Sequence, residues 1–333
     1  MSLSALHIEN LAVKLQDKTI LEDFSLNLNE GDILCLLGPS GCGKTTALKA
    51  IAGLMDAHKG TITLFDQLLK KNSYELPPEQ RDIGFIFQDY ALFPHMTVAE
   101  NIAFSLRHLT KQARLAQVEE SLALVHLEGL GNRYPHELSG GQQQRTAVAR
   151  ALAHRPKLLL MDEPFSNIDS QVKYKLMAEL RGLLKQHNIT GIFVTHSKQE
   201  AFSFADKTAV LNNGKIEQVD ITQVIFEQPI NPFVAQFMES GNLIPANKAP
   251  SALFFNPLNV AGESDWLLLR ENGFSISNGV GLSGWVVDSL YIGHRYRNHI
   301  QFDDFALWVE TQYALTPHEH IHVQYVHEAL TLK

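Results

Sequence analysis

Short apolar runs and helical repeats alternate along the first half of the chain. Residues 32–37, 158–161 and 191–195 are apolar runs of the kind that form strands buried on both faces. Apolar residues recur at helical spacing in 44–54, after the first run, and in 169–188, between the other two. This alternation predicts an α/β domain.

The pattern then changes twice along the chain. Residues 98–155 lack strand-like runs, so we expect a helical subdomain at about 89–154 inside the α/β domain. From about Gly241, short alternating segments are separated by Gly, Asn and Pro, which is typical of a small all-β domain. The predicted domains are therefore 1–240 and 241–333. The alternating segments include Trp285–Val287, Ala306–Val309 and Ile321–Val326.

Composition narrows the class of protein. The 333 residues include 45% apolar residues, enough for the cores of two domains and too many for a wholly disordered chain. The net charge of −8 argues against a protein that coats nucleic acid, because that binding needs Lys and Arg to neutralise phosphates. Cys35 and Cys42 form neither a disulfide framework nor a zinc-site spacing, as expected in a reducing cytoplasm. The first ten residues do not resemble a signal peptide, and no apolar run approaches membrane-spanning length.

A glycine-rich loop links the first apolar run to the first helix. Its sequence, GPSGCGKT, fits the pattern G-x-x-x-x-G-K-[ST], in which backbone N–H groups curl around phosphate oxygens. Lys44 supplies positive charge to the β- and γ-phosphates, Thr45 offers its hydroxyl to Mg²⁺, and the following helix adds its N-terminal partial charge. The candidate nucleotide-binding residues here are Gly38, Pro39, Ser40, Gly41, Cys42, Gly43, Lys44, Thr45 and Thr46.

Two carboxylates end the second apolar run. Asp162 and Glu163 follow Leu158–Met161, and the end of a buried strand would bring them close to the phosphate loop. Asp162 is then a candidate ligand of Mg²⁺, directly or through water. Glu163 is a candidate general base for an attacking water.

A second candidate anion site lies in the sequence LSGGQQQR. We expect a helix from Gln142 to about Ala153, and its N-terminus is a candidate anion-binding site. The candidate residues are Ser139, Gly140 and Gly141, which precede the helix, and Gln142, which begins it. One nucleotide does not need two such cradles far apart in sequence. The second cradle is explained if it serves the nucleotide of another copy across a two-fold interface.

The order of these motifs resembles the ATPase subunits of ABC transporters over nearly the whole chain. The resemblance implies a RecA-like P-loop core with a helical subdomain, ATP with Mg²⁺ as ligands, and two copies that bind ATP head to tail. Gln88 matches the glutamine that senses Mg²⁺ and the γ-phosphate, and His196 matches the histidine that contacts the γ-phosphate. Residues 89–98 match the segment that touches the permease, and 166–169 match the D-loop. Ser139–Gln142 match the signature that covers the ATP of the partner copy.

Two further segments resemble the importers that carry an OB-like C-terminal regulatory domain: Tyr90–Val98 and Tyr134–Leu138. Within that group the sequence most resembles ferric-iron import ATPases, with polyamine, sulfate and molybdate importers as close alternatives. The resemblance implies a homodimer on the cytoplasmic side of the inner membrane, bound to integral-membrane permease subunits. It also implies a periplasmic or surface solute-binding protein as an indirect partner, and no nucleic acid.

Three features depart from this family pattern or are not explained by it. Leu15 stands where the family usually has an aromatic residue that stacks on adenine, unless it points into the sheet instead. Arg270-Glu271-Asn272 stands where the regulatory domain commonly has Arg-Pro-Glu. The alternation His318-x-His320-x-His322 predicts three imidazoles on one face of a strand, either a metal site or an exposed strand face.

Two other classes of protein remain as alternatives to a transporter subunit. A soluble ABC ATPase of DNA repair or translation usually has two cassettes or a long coiled-coil insertion, whereas this chain shows one cassette and no heptad array. A nucleotide-binding regulator without turnover would need neither Glu163 as a base nor His196 as a switch.

Overall fold

A computed structural model describes residues 4–16, 18–166, 168, 170–239, 241–255, 265–277 and 279–333. The chain divides into two compact units, Met1–Thr222 and Gln223–Lys333. In the part of the chain described, no helix is both long enough and apolar enough to cross a membrane.

The first unit contains eleven described strands and the helices between them. Its strands are β1 (Ser4–Leu15), β2 (Lys18–Asn29), β3 (Ile33–Leu37), β4 (Lys59–Leu64), β5 (Gln67–Lys71), β6 (Tyr74–Glu75), β7 (Ile83–Ile86), β8 (Leu158–Asp162), β9 (Thr190–Thr195), β10 (Lys207–Asn212) and β11 (Lys215–Asp220). Its helices are α1 (Lys44–Ala52), α2 (Val98–Ala103), α3 (Lys111–Leu124), α4 (Gly140–Leu152), α5 (Ser170–Gln186) and α6 (Lys198–Phe204), with α7 (Thr222–Glu227) at the boundary.

The first unit contains a mostly parallel sheet. Its strand order is β11-β10-β3-β9-β8-β7, and every pair is parallel except the edge pair of β10 and β11. All residues of β3, β8 and β9 are buried, because helices and a second sheet cover both faces. The α/β prediction is confirmed, and the three apolar runs are three of its strands.

A second, antiparallel sheet was not predicted from the sequence. Its strand order is β2-β1-β4-β5-β6, and its apolar residues share one core with β3, β9 and α1. Helix α1 is buried along most of its length in this core. It ends at Ala52 rather than at the predicted Leu54, because Gly53 takes a left-handed backbone and closes the helix.

The segment between β7 and β8 is helical, as its pattern predicts. It contains α2, α3 and α4, which pack against one another. Helix α4 begins at Gly140 rather than at the predicted Gln142, because the Ser139 hydroxyl caps its first turn.

The second unit is antiparallel β structure preceded by α8 (Pro232–Met238). Its strands are β12 (Asn242–Pro245), β13 (Trp266–Leu269), β14 (Phe274–Ser277), β15 (Leu282–Tyr291), β16 (Tyr296–Gln301), β17 (Ala306–Thr311), β18 (His320–Tyr325) and β19 (Leu330–Leu332). They form the sheets β12-β13-β19 and β14-β18-β15-β16-β17. The compact unit begins at Gln223, before the predicted boundary at 240/241, because α8 packs on this β structure. The functional extents of the two domains stay a prediction.

The predicted face of three histidines is not formed. His318 lies in the turn before β18 with a left-handed φ of 68°, so only His320 and His322 share a face of that strand. Within the described residues, no group of three His, Cys, Asp or Glu side chains is placed to hold a metal. The exposed position of His320 agrees with the interpretation of this segment as an exposed strand face.

One carboxylate ties α5 to the amino end of the parallel sheet. Asp206 accepts hydrogen bonds from the Ile33 amide at 2.8 Å, from Arg181 at 2.6 Å and from Lys185. Burial by itself raises the pKa of Asp206, but these three donors outweigh it and lower the pKa below its usual value. Asp206 is therefore ionised in the folded protein at neutral pH.

We expect Asp206→Asn to destabilise the protein in a pH-dependent way. A lowered folded-state pKa means that the charge stabilises the fold above the unfolded-state pKa, and that this contribution is lost as the pH falls through the folded-state pKa. The variant should lose about 1–3 kcal/mol of stability near neutral pH, and the difference should shrink below about pH 4. Urea unfolding midpoints over this pH range measure it, with exposed Asp56→Asn as the control. A difference that is independent of pH would contradict the assignment.

Candidate nucleotide-binding and hydrolysis site

The candidate site residues follow neighbouring parallel strands at the same edge of the sheet. The phosphate loop follows β3, and Gln88 follows β7. Asp162 is the last residue of β8 and Glu163 comes directly after it, while His196 follows β9. Ligands of open α/β sheets bind at the carboxyl ends of the strands, because the loops that follow these strands gather there. The topology therefore brings together four loops that are far apart in sequence.

The phosphate loop folds around the ammonium group of its own lysine. Lys44 is only 7% exposed, and its Nζ donates to the carbonyl oxygens of Gly38 at 2.8 Å and Pro39 at 2.9 Å. The loop runs into the N-terminus of α1, where backbone N–H groups lack partners within the helix. A cation and a helix N-terminus in one loop suit the phosphates of a nucleotide.

Close packing of the loop excludes side chains at Gly38. A Cβ there would lie 2.2 Å from the carbonyl oxygen of Leu211 and 2.8 Å from Cys42 Sγ, so only glycine fits. Burial raises the pKa of the Cys42 thiol, and the nearby Lys44 ammonium opposes this shift only in part. Cys35 and Cys42 are both free and buried.

The candidate Mg²⁺ ligands meet at the start of α1 and the end of β8. Thr45 Oγ1 donates to Asp162 Oδ1 at 2.9 Å, although the two residues are 117 positions apart. Burial raises the pKa of Asp162, while the hydrogen bond from Thr45 and the charges of Lys49 and Lys44 lower it only in part. A hydroxyl and a buried carboxylate are hard oxygen ligands, so the residues present fit Mg²⁺, which would favour the ionised form of Asp162.

Glu163 lies between the other two candidate catalytic residues. Its Oε2 accepts from Gln88 Nε2 at 3.3 Å, and its Oε1 is 3.5 Å from His196 Nδ1. These side chains come from three different loops, and the structure places them together as the motif order predicts. A carboxylate held between an amide and an imidazole is suited to orient a water molecule and to accept its proton.

The backbone at Glu163 adopts a strained conformation. Its φ of 45° is left-handed, which costs a non-glycine residue about 1–2 kcal/mol. The Glu163 amide donates to the Val194 carbonyl at 3.1 Å, and the Glu163 carbonyl accepts from both the amide and the hydroxyl of Ser166. These bonds hold a conformation that Glu163 would not otherwise favour. Ser166 is described, whereas Asn167 and Asp169 of the predicted D-loop lie outside the described residues.

The second anion-binding cradle is formed at the N-terminus of α4. The Ser139 hydroxyl accepts from the Gln142 amide at 3.4 Å, and Gln142 Oε1 accepts from the Ser139 amide at 2.9 Å. This capping box leaves Ser139 and Gly140 exposed at the start of the helix. A Cβ at Gly141 would lie 3.2 Å from Leu176 Cδ1 of α5, so a side chain there would require Leu176 to shift by a few tenths of an ångström.

Helix α4 also supports two loops of the site through residues that sequence reasoning missed. Gln144 Nε2 donates to the Pro164 carbonyl at 3.2 Å, directly after Glu163. Arg150 donates to the carbonyls of Tyr90 and Ala91, two consecutive left-handed residues of the segment after Gln88. No sequence pattern could have indicated these bonds, because a main-chain carbonyl accepts from any side chain that the fold brings to it.

The fold and the site define a P-loop nucleotide-binding protein. The ABC transporter family model matches residues 21–166, which include the phosphate loop, Gln88, the signature and both carboxylates. The chain belongs to this family and is of its importer type, so the family predicted from the motif order is confirmed. The family binds ATP.

Relatives of the chain differ in the cargo for which they are named. It is 46% identical to the sulfate/thiosulfate import ATP-binding protein CysA of Synechocystis sp. over 72% of this chain and 67% of the relative. It is 43% identical to the spermidine/putrescine import ATP-binding protein PotA of Methylococcus capsulatus, over 82% of this chain and 75% of the relative. It is 39% identical to the Fe(3+) ions import ATP-binding protein FbpC 1 of Pectobacterium atrosepticum, over 88% of this chain and 80% of the relative.

A solved structure supports the fold of the first unit and the kind of ligand. The ATP-binding cassette MJ0796, solved as a dimer in a post-hydrolysis state with ADP and Pi, is 31% identical. It aligns with a TM-score of 0.57 over 65% of this chain and 98% of its own. Together with the antiparallel sheets of the second unit, this match confirms the predicted fold class of a P-loop core followed by a β domain.

Leu15 is exposed at the end of β1. Its exposed fraction is 51%, so it does not point into the sheet. The other strand of the same hairpin passes beside the phosphate loop, where the Ile20 carbonyl oxygen lies 3.1 Å from the position of a Cβ on Gly43. Leu15 is therefore an exposed residue on a hairpin whose other strand borders the phosphate loop.

We expect Leu15→Tyr to tighten ATP binding several-fold. Stacking of an aromatic ring on a base is worth about 1–3 kcal/mol, whereas leucine offers apolar contact without a π-face. Calorimetry with ATP and with inorganic triphosphate measures the effect, and the gain should be confined to ATP. The control is Leu115→Tyr, at a leucine that is 56% exposed on α3. Equal gains for both ligands, or none, would rule out adenine stacking.

Proposed function

We propose that the chain is the ATP-hydrolysing subunit of an ABC importer and that it energises solute uptake through a separate membrane permease. The observation that carries the proposal is Glu163, held between Gln88 and His196 at the end of β8. A protein that only binds nucleotide has no need for a carboxylate supported in this way. The import function is supported by the names of the relatives.

Each residue of the site has a chemical role in this proposal. Lys44 and the backbone N–H groups of the phosphate loop would hold the phosphates, and Thr45, Asp162 and Gln88 would hold Mg²⁺. The bound cation would neutralise charge on the β- and γ-phosphates. Glu163 orients the attacking water and accepts its proton, while His196 contacts the γ-phosphate.

We expect Glu163→Gln to retain ATP binding and to lose turnover. The amide keeps the shape of the side chain but removes the base, and a general base contributes about 10²–10⁴-fold to the rate. Phosphate release under single- and multiple-turnover conditions measures the loss, and the ATP-bound dimer should accumulate. Glu119→Gln, at an exposed carboxylate on α3, is the matched control. Wild-type turnover in Glu163→Gln would show that Glu163 is not the base.

The proposal includes a homodimer with two composite sites. Ser139–Gln142 of one copy would cover the ATP held by the phosphate loop of the other. The exposed cradle at the N-terminus of α4 supports this arrangement, as does the dimeric state of the related cassette. Closure would exclude water other than the one that Glu163 orients, and hydrolysis would reset the dimer.

Mixing two inactive variants should restore one composite site. Lys44→Ala removes the phosphate-binding cation, and Gly141→Asp puts a carboxylate in the signature. In a head-to-tail heterodimer both lesions fall in the same site, so the other site is intact. Nucleotide capture should appear in the mixture and in neither variant alone, with two differently tagged Lys44→Ala chains as the control. A verified heterodimer without capture would exclude the head-to-tail arrangement.

A groove on the helical subdomain supports a permease partner. Its volume is about 520 Å³, and it lies between α2 and α3 beside the segment 89–98. Phe104 and Leu115 give it apolar walls, and its charged lining residues are two arginines and one glutamate, Arg107, Arg114 and Glu100, with a positive balance. We infer that a short cytoplasmic helix of the permease, apolar on one face and with an acidic residue, occupies this groove. The chain would then be a peripheral protein on the cytoplasmic side of the inner membrane.

Ferric iron is the cargo that we propose, on the resemblance of the sequence to ferric-iron import ATPases. Polyamine, sulfate and molybdate are alternatives, and the relatives are divided among sulfate, polyamine and iron. The cargo would pass through the permease and would not touch this chain. A binding screen of the associated periplasmic or surface solute-binding protein against Fe³⁺, polyamines, sulfate and molybdate identifies it.

A further inference from the structure

We propose that Glu200 is a positioning residue for His196, and that it acts through the two neighbours of that histidine. This inference rests on the proposed catalytic role of His196. It assigns a function to a buried carboxylate that the candidate site does not otherwise use.

Both neighbours of His196 are tied to Glu200. Thr195 Oγ1 donates to Glu200 Oε2 at 2.6 Å, and the Ser197 amide donates to the same Thr195 oxygen at 3.0 Å. Ser197 Oγ in turn accepts from the Glu200 amide at 3.3 Å, as the cap of α6. Thr195 ends β9 and Glu200 lies in the first turn of α6, so the backbone that carries His196 is fixed on both sides.

The charge of Glu200 needs compensation, because the residue is only 5% exposed. Burial of a carboxylate is costly unless a cation and hydrogen bonds offset the lost hydration. Lys173 supplies the cation, with its Nζ 3.0 Å from Glu200 Oε1. Lys173 lies in the first turns of α5, the helix that follows the predicted D-loop. The network therefore connects the start of α5 to the loop that carries His196.

His196 itself has few constraints on its orientation. Its side chain is 66% exposed, and its imidazole reaches Glu163 only at 3.5 Å. An exposed ring at the end of a strand takes its direction from the backbone that carries it. Loss of the Glu200 carboxylate would remove the acceptor of the Thr195 hydroxyl, although Ser197 would keep its bond to the Glu200 amide. The backbone before His196 would then be less constrained, and the imidazole would leave the position from which it contacts the γ-phosphate.

The first test is the kinetic effect of Glu200→Gln, which keeps the shape of the side chain but removes its charge and leaves one acceptor oxygen for the two donors Lys173 and Thr195. We expect kcat for ATP hydrolysis to fall about ten-fold or more, because small displacements of a catalytic group have effects of this size. KM should change by less than about two-fold, because the phosphate loop provides most of the ATP binding. Thr195→Val removes the linking hydroxyl and should reproduce this pattern.

The matched control is Asp206→Asn. Asp206 is also paired with cations of α5, but at the amino end of the sheet, away from the site. This variant should lose stability while kcat and KM stay at wild-type values. A role of Glu200 that is only structural would give the same result in Glu200→Gln.

The second test observes His196 directly. In protein labelled with ¹³C at histidine, the His196 ring signal is identified by its absence in His196→Ala. Glu200→Gln and Thr195→Val should shift or broaden this signal, and Asp206→Asn should leave it unchanged. Wild-type kcat in Glu200→Gln, or a lowered kcat with an unmoved His196 signal, would overturn the proposal.

The proposed function fails on separate measurements. If His196→Ala or Glu163→Gln hydrolyses ATP at the wild-type rate, the catalytic assignment of that residue is wrong, whatever Glu200→Gln does. If both variants are impaired and Glu200→Gln is not, only the positioning role of Glu200 is wrong.

Discussion

The register of three parallel strands is the constraint on which the site depends. Leu37 of β3 pairs with Thr195 of β9, and Asp162 of β8 pairs with Val194 of β9. The residues that immediately follow these pairs are Gly38 of the phosphate loop and two candidate catalytic residues, Glu163 and His196. A slip of one residue would turn each side chain of a strand to the opposite face. Because these strands are buried on both faces, such a slip would also disrupt the core, and the register is therefore strongly fixed.

This rigid register allows strained backbone at the same edge of the sheet. Glu163, Tyr90 and Ala91 all have left-handed φ values, and each belongs to a loop that follows a parallel strand. Hydrogen bonds from Ser166 and Arg150 hold these loops, so the strain is balanced by contacts with neighbouring elements. Helix α4 takes part twice, through Gln144 beside Glu163 and through Arg150. The helix that begins with the signature thus supports two other loops of its own chain.

The sequence was most informative where one motif carries one local geometry. The phosphate loop, the apolar strand before Asp162 and the glycine-rich start of α4 each specify a turn or terminus locally. The structure has the first two where the sequence predicts them and begins α4 two residues before the predicted Gln142. The antiparallel sheet was missed because β1 and β2 are long, bulged strands with mixed patterns, so neither clean alternation nor a continuous apolar run marks them. His318 was assigned to a strand from its spacing, but its left-handed backbone ends that alternation before β18 begins. The contacts of Glu200, Gln144 and Arg150 depend on long-range packing, which spacing along the chain does not encode.

Two buried carboxylates at this edge of the sheet illustrate how the environment divides their roles. Asp162 is 7% exposed and Glu200 is 5% exposed, so both lose most of their hydration. Glu200 has an ammonium group at 3.0 Å, and its charge is neutralised within the protein. Asp162 instead accepts from the hydroxyl of Thr45, and burial raises its pKa, so its ionised form is incompletely compensated. A carboxylate in that condition gains most from a bound divalent cation, whereas a carboxylate already paired with lysine gains little and is better suited to hold structure. The same physical cost of burial thus favours Asp162 as the metal ligand and Glu200 as the support of its neighbours.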